Sequence, residues 1–71
     1  MKNRQWLELL KESYEEYKVL NNERAKELAT QVFDDILNTY HSKGVILSVW
    51  LDLTLKIEPN RKKRLAWLGV C

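Results

Sequence analysis

The feature that most constrains the fold is an alternation of apolar residues over residues 45–57. Apolar side chains fill every odd position of this segment, whereas the even positions are mostly polar or amphipathic. The odd positions are Val45, Leu47, Val49, Leu51, Leu53, Leu55 and Ile57. Because successive side chains of a strand point to opposite faces of a sheet, this pattern predicts a long β-strand with one apolar face.

The same segment also permits a helix. Ser48, Asp52 and Lys56 recur at intervals of four residues, which would give a helix a narrow polar stripe and an Asp52–Lys56 ion pair. The many leucines favour a helix, whereas Val45, Val49 and Ile57 are β-branched and favour a strand. We expect the strand, and the helix is the alternative.

The first 43 residues have a helical period. Apolar residues recur every three or four positions from Trp6 to Tyr17, and again over residues 25–40. Asn3 suits an N-cap, and Gly44 suits the left-handed turn that ends a second helix. Asn21 and Asn22 interrupt the period, which predicts two helices, although one unbroken helix stays open.

The last residues suit a strand that returns along the first. Pro59 and Asn60 favour a turn, and residues 65–71 are short and mostly apolar. A five-residue loop would place Leu55 opposite Leu65, and we favour it over a four-residue loop because it keeps Arg64 off the apolar face. The segment 44–71 is therefore predicted to form a β-hairpin.

These elements predict a single α+β domain over residues 1–71, with a helical half at 1–43 and a β-hairpin half at 44–71. The two helices would cover one face of the hairpin, because a hairpin alone is only marginally stable. The alternative is an all-α bundle of three or four helices. The predicted core pairs helix residues with strand residues: Trp6, Leu10, Leu28, Val32, Phe33 and Ile36 against Leu47, Leu51, Leu53 and Leu55.

Length and composition limit what can stabilise the domain. A chain of 71 residues buries a small core, and domains of this size often add a disulfide, a metal ion or a partner subunit. Cys71 is the only cysteine and His41 the only histidine, so we expect no disulfide within the chain, no metal site and no cofactor. No apolar run suits a secretory signal or a membrane span, and we expect a soluble cytoplasmic protein.

No group of residues has the pattern of a catalytic site. Asp34 and Asp35 are adjacent, so on a helix their side chains diverge and cannot act as a carboxylate pair. A nucleophilic pair of His41 and Cys71 would depend on the last residue of the chain. We therefore expect a protein that is not an enzyme.

The leading functional hypothesis is a small interaction module, an adaptor or inhibitor that binds a larger protein and acts as a homodimer. The exposed edge of the long strand would pair with that of a second copy. Trp50, Ile46 and Trp67 are the candidate partner-binding residues, because aromatic and apolar side chains concentrate at binding hot spots.

A second hypothesis is nucleic-acid binding through a basic tetrapeptide. Arg61, Lys62, Lys63 and Arg64 are consecutive, and residues 59–71 contain no acidic residue although the net charge of the whole chain is only +2. Four cations at a hairpin tip could contact phosphates, with Trp67 near enough to stack on a base. The competing interpretation is a solvated turn that keeps the sheet edge soluble.

Overall fold

A computed structural model describes residues 3–70, and within this range the protein has four α-helices and no strand. The helices are α1 (Asn3–Lys18), α2 (Asn22–Tyr40), α3 (Lys43–Ile57) and α4 (Arg61–Val70). The predicted α+β fold with a β-hairpin over residues 44–71 is therefore wrong. The all-α alternative fits, as a bundle of four helices.

Burial along α3 shows why the predicted strand is a helix. Ile46, Leu53 and Thr54 are buried, and Val49, Trp50 and Ile57 are partly buried, which is a spacing of three to four residues. The alternating set is not buried together, because Leu47, Leu51 and Leu55 are exposed while Leu53 is buried. Two exposed polar residues on a flank of α3 form the helical ion pair, with Lys56 Nζ 3.3 Å from Asp52 Oδ2.

The predicted break between two N-terminal helices is confirmed. Leu20 has a φ of 64°, in the left-handed region that ends helices, and Asn21 precedes the first residue of α2. Asn21 does not cap α2 with its side chain, which donates instead to Glu16 Oε2 at 2.7 Å. The chain therefore reverses at Leu20 and Asn21, so that α1 and α2 pack together.

The end of α2 differs from the prediction. His41, with a φ of 57°, is the left-handed residue that ends the helix, and its N–H donates to the carbonyl of Leu37. Gly44 does not end a helix but lies in the first turn of α3, which begins at Lys43. The left-handed position is thus occupied by an ordinary residue rather than by glycine.

The segment predicted as a turn and return strand forms the start and body of α4. Asn60 Oδ1 accepts a hydrogen bond from the backbone N–H of Lys63 at 3.1 Å, which is an N-cap contact. Glu58 Oε1 accepts from the N–H of Asn60 at 2.9 Å and fixes the approach to the helix. Residues 61–70 are helical, so the predicted return strand is wrong, and Cys71 lies outside the described residues.

One core joins the four helices. Its buried members come from every helix: Trp6, Leu10, Ala29, Val32, Ile36, Ile46, Leu53 and Trp67. Of the core residues predicted on the helical half, all are buried except Phe33, which is partly buried against this core. The buried hydroxyl of Ser13 donates to the carbonyl of Ala25 at 2.6 Å and ties α1 to α2. None of the helices in residues 3–70 is both long and apolar enough to cross a membrane.

Candidate functional site

Three leucines form an exposed line along α3, which we name the leucine stripe: Leu47, Leu51 and Leu55. They are spaced by four residues, so they lie on one side of the helix, one turn apart. Leu47 and Leu51 are each 55% exposed and Leu55 is 48% exposed. The stripe is therefore an apolar surface that no other part of the described chain covers.

The composition of α3 sets this stripe apart from scattered surface leucines. Apolar residues of α3 face both the core, as Ile46 and Leu53 do, and the exterior, as the leucine stripe does. A helix that is apolar on nearly all sides is typical of a helix buried on nearly all sides. Within residues 3–70 only one side of α3 is buried, so α3 has the character of a helix that lacks a partner on its outer side.

Trp50 lies on the inner flank of α3, over a cleft between helices. Its ring meets that of Phe33 from α2 nearly at right angles, with 5.2 Å between the ring centroids. Ala29, Thr30 and Leu68 complete the lining of this cleft, whose volume is about 250 Å³. Among the candidate partner-binding residues, Trp50 alone is partly exposed, because Ile46 and Trp67 are buried in the core.

A second cleft lies between α1 and α4 and has a different chemistry. We name it the lysine–tyrosine groove, with a volume of about 420 Å³ and a lining of Tyr14, Tyr17, Lys18, Lys62, Lys63 and Ala66. The rings of Tyr14 and Tyr17 are nearly parallel, with an interplanar angle of 15° and 6.1 Å between centroids. Lys18 Nζ lies 5.1 Å from the centre of the Tyr14 ring. Cations from two helices thus meet beside two aromatic rings.

Tyr14 and Glu58 form a hydrogen bond next to this groove. The Tyr14 hydroxyl donates to Glu58 Oε2 at 2.5 Å, which joins α1 to the α3–α4 connection. This bond to the carboxylate, together with burial, raises the pKa of Tyr14 to about 12. The same bond, the Asn60 N–H and the nearby Lys63 and Lys18 lower the pKa of Glu58. The pair therefore favours a neutral phenol beside an ionised carboxylate.

The four basic residues predicted as a hairpin tip occupy the first turn of α4 instead. Arg61, Lys62 and Lys63 are exposed, and Arg64 is partly buried. Arg64 Nη1 donates to the backbone carbonyl of Glu58 at 3.0 Å, so this cation has a role in holding the connection. Only Lys62 and Lys63 of the tetrapeptide line the lysine–tyrosine groove.

Sequence reasoning missed the part of the groove that α1 contributes. From the sequence, Tyr17 was treated only as part of the apolar period of the first helix, and neither Tyr14 nor Lys18 was singled out. Tyr14, Tyr17 and Lys18 lie within one helical turn of each other, which is the signal that a basic and aromatic cluster exists on α1. Their meeting with Lys62 and Lys63 follows from the packing of α4 and has no counterpart in the sequence order.

Of the residues considered for catalysis, Asp34, Asp35 and His41 lie in the described part of the chain, and Cys71 does not. Asp35 Oδ2 accepts a hydrogen bond from the Trp6 indole at 2.6 Å, which is a structural contact, while Asp34 is exposed. His41 is the exposed C-cap of α2. Within residues 3–70 no group of three or more His, Cys, Asp or Glu side chains is placed to hold a metal ion.

Comparison with known proteins gives no match, whether to a protein family, to a curated protein or to a solved structure. Two surfaces of the protein are candidates for binding: the leucine stripe and the lysine–tyrosine groove.

Proposed function

We propose that the protein is a non-enzymatic interaction module that self-associates through the leucine stripe. The observation that carries this proposal is the exposure of Leu47, Leu51 and Leu55 on a helix whose opposite side is already buried in the core. Covering these side chains would remove apolar surface from water, which is the main driving force of protein association. The occupant we propose is the α3 helix of a second copy.

The arrangement of the stripe favours a second copy because it is self-complementary. Leu51 lies midway between Leu47 and Leu55, so two α3 helices that cross antiparallel at Leu51 would place Leu47 of each copy beside Leu55 of the other. A two-fold dimer requires this kind of surface, in which one patch pairs with itself. The stripe itself contains no charged residue, so the crossing would bury no unpaired charge.

The size of the domain supports the same occupant. With a single cysteine the chain cannot form an internal disulfide, and no metal cluster exists in the part of the chain that the structure describes. Association with a second subunit is one common way to stabilise so small a domain. A typical partner contributes about 800 Å² to an interface. Three leucines supply only part of that area, so we expect a weak dimer that dissociates in the micromolar range.

Sedimentation equilibrium over a range of concentrations tests the proposal. The protein should approach twice the chain mass of 8.5 kDa as its concentration rises. Leu51→Glu should remain monomeric throughout, because the new carboxylate would be buried without a partner at the centre of the contact. Helical circular dichroism of this variant should match the parent, since Leu51 is exposed within the subunit.

Leu37→Glu is the matched control. Leu37 is a leucine of α2 with 44% exposure, so its replacement makes the same chemical change away from the leucine stripe. We expect Leu37→Glu to dimerise as the parent does. A parent protein that stays monomeric at the highest concentration, or a Leu37→Glu variant that loses the dimer as Leu51→Glu does, would exclude self-association through the leucine stripe.

The homodimer proposed here replaces the strand-edge dimer of the sequence-based hypothesis, because α3 has no strand edge to pair. Binding of a larger protein, with Trp50, Ile46 and Trp67 as contacts, stays a prediction, as does a cytoplasmic location. Of these three residues, Trp50 is the one that a partner could reach directly, since it lines the cleft beside Phe33.

A further inference from the structure

We propose that the lysine–tyrosine groove binds single-stranded nucleic acid, with Lys18, Lys62 and Lys63 on backbone phosphates and Tyr17 stacked against a base. This inference concerns a different surface from the leucine stripe and does not depend on self-association. The proposed site combines residues of α1 with lysines of the basic tetrapeptide of α4.

The first argument is the convergence of charge from two helices that are far apart in sequence. Lys18 ends α1, and Lys62 and Lys63 begin α4, yet all three line one groove. Arg61 and Arg64 lie in the same turn of α4 but do not line the groove, and Arg64 is bonded to the Glu58 carbonyl. Phosphates along a nucleic-acid strand are suited to the three lysines of the groove, because each contact releases counterions.

The carboxylates near the groove are already engaged. Glu15 Oε1 pairs with Lys18 Nζ at 3.0 Å, and Glu58 accepts from the Tyr14 hydroxyl and from the Asn60 N–H. None of the ion pairs within residues 3–70 involves Lys62 or Lys63. Two lysines of the groove are therefore available to an anionic ligand without breaking an ion pair of the folded chain.

The second argument is that basic residues at the N-terminus of α4 are electrostatically unfavourable for the helix. The N-terminus of a helix carries a partial positive charge and favours acidic residues. The first turn of α4 contains no acidic residue and four basic ones. Arg61, Lys62 and Lys63 are exposed, so core packing does not require them. A local rule broken without a structural gain is typical of a functional surface.

The third argument is the aromatic lining, which favours a nucleic acid over an acidic peptide. Tyr17 is partly buried, lines the groove and lies nearly parallel to Tyr14. The Tyr14 ring packs against the ring of Trp67, with 5.0 Å between centroids, and this contact holds the tyrosine pair in place. Nucleobases of any sequence stack on such rings, whereas acidic side chains have no aromatic ring to stack.

The exposed surface of α4 favours a single strand over a duplex. Beyond its basic first turn, α4 exposes Leu65, Ala66 and Gly69, which carry no side-chain hydrogen-bond donor or acceptor. Side chains that could read base edges in a major groove are therefore confined to the first turn of α4, where Lys62 and Lys63 line the lysine–tyrosine groove instead. A base can enter the lysine–tyrosine groove and stack only when it is unpaired.

Fluorescence anisotropy with a labelled oligothymidylate of about twelve nucleotides tests the proposal at low salt, where phosphate contacts are strongest. The parent protein should bind, and the slope of log affinity against log salt should be about −2, as expected for three phosphate contacts on a single strand. The double variant Lys62→Glu, Lys63→Glu should weaken binding by more than about 30-fold, because it replaces two of these attractions with repulsions.

Three further variants separate the site from general charge effects and test the stacking. Lys26→Glu, Lys43→Glu makes the same change in net charge at exposed lysines outside the groove, and it should weaken binding by less than about threefold. Tyr17→Ala should weaken binding by about 5-fold to 160-fold, the range that one base–aromatic stack supplies, while Tyr17→Phe should bind as the parent does. Circular dichroism should show that each variant is as helical as the parent.

The outcomes that would overturn the inference are equally defined. Absence of oligothymidylate binding at low salt would exclude the site. Equal affinity for a duplex of the same length would remove the single-strand assignment, and equal affinity for a polyglutamate peptide would leave only a polyanion surface. Unchanged binding by Tyr17→Ala would contradict stacking, and an equal loss in the two double-lysine variants would contradict the placement in this groove.

Discussion

The indole nitrogen of Trp67 donates a hydrogen bond to the hydroxyl of Ser13, at 3.2 Å and across 54 positions of sequence. Both side chains are fully buried. The same hydroxyl donates to the carbonyl of Ala25 at 2.6 Å, so one serine of α1 contacts both α2 and α4. This bridge satisfies the polar atoms of the largest core residue that α4 contributes, which a buried indole requires.

Ser13→Ala should therefore lower the free energy of unfolding by about 1–3 kcal/mol, because the buried Trp67 N–H loses its acceptor. The two side chains have nearly the same volume, so the loss reports the hydrogen bond and not a cavity. Urea denaturation followed by circular dichroism measures it. Ser48→Ala, at an exposed serine of α3, is the control and should stay within about 0.5 kcal/mol of the parent.

Leu53→Ala and Val45→Ala distinguish a helical α3 from a strand. The two residues share one face of a strand, but in the helix Leu53 is buried and Val45 is 41% exposed. Leu53→Ala should cost about 2–5 kcal/mol of unfolding free energy, as large-to-small changes in a core do. Val45→Ala should cost less than about 0.5 kcal/mol, and equal losses at both positions would contradict the helix.

Asp35→Ala and Asp34→Ala should have different effects although the residues are neighbours. Asp35 accepts the Trp6 indole N–H at 2.6 Å, whereas Asp34 is exposed. Both changes improve helix propensity equally, so the difference in unfolding free energy reports the contacts of the Asp35 carboxylate, the Trp6 bond among them, and should be about 1–3 kcal/mol. Thermal melts of the two variants compare them, and identical melting temperatures would show that the contacts of this carboxylate contribute nothing to stability.

Tyr14 should make stability depend on alkaline pH. Its pKa is raised from 10.0 to about 12 in the folded protein, so between these values the folded chain retains a proton that the unfolded chain has lost. Stability from this group is present below pH 10 and is lost as the pH rises through about 12. Denaturation series at increasing pH should show a steeper loss for the parent than for Tyr14→Phe.

Glu58→Gln gives a spectroscopic check on the same pair. The hydrogen bond to the Glu58 carboxylate is the largest cause of the raised Tyr14 pKa, so removing the charge should return the Tyr14 titration toward 10.0. Ultraviolet absorbance of the phenolate follows this titration. Glu15→Gln, where the carboxylate acts on Tyr14 only at longer range, is the control and should leave most of the shift in place.

The helical half was predictable because its polar and apolar residues separate cleanly around each helix. From Ala25 to Ile36, apolar residues recur every three or four positions with polar residues between them. The core residues that the sequence predicts in this stretch lie in the observed core or pack against it. The break at Asn21 was also legible, since two adjacent asparagines interrupt the period. Local sequence pattern and tertiary packing agree in this half.

The second half of the chain was predicted wrongly because α3 is apolar on two sides. The buried Ile46 and Leu53, the partly buried Ile57 and the exposed leucine stripe together fit both a helical and an alternating pattern. The four-residue spacing of Asp52 and Lys56 correctly indicated a helix, whereas the β-branched residues favoured the strand that we expected. Asn60 was read as a turn residue when its side chain is a helix cap.

The candidate site was predictable only in part. The basic tetrapeptide is visible in the sequence, but it forms the first turn of a helix and not a hairpin tip, and its Arg64 is partly buried. That Lys18 and Tyr17 lie across from Lys62 depends on how α4 packs against α1, which no local pattern records. The exposure of the leucine stripe likewise depends on which side of α3 the other helices cover.

The single large anchor of α4 has a consequence for its hydrogen exchange. Among the described residues of α4, only Trp67 is fully buried, so this helix can separate locally at a smaller cost than α1 or α2. Its amides should exchange with solvent before those around Leu10 and Val32. Lys62 and Lys63 leave with it, so the groove exists only in the docked population. A ligand bound in the lysine–tyrosine groove would slow amide exchange throughout α4. This helix would therefore be most ordered when the groove is occupied.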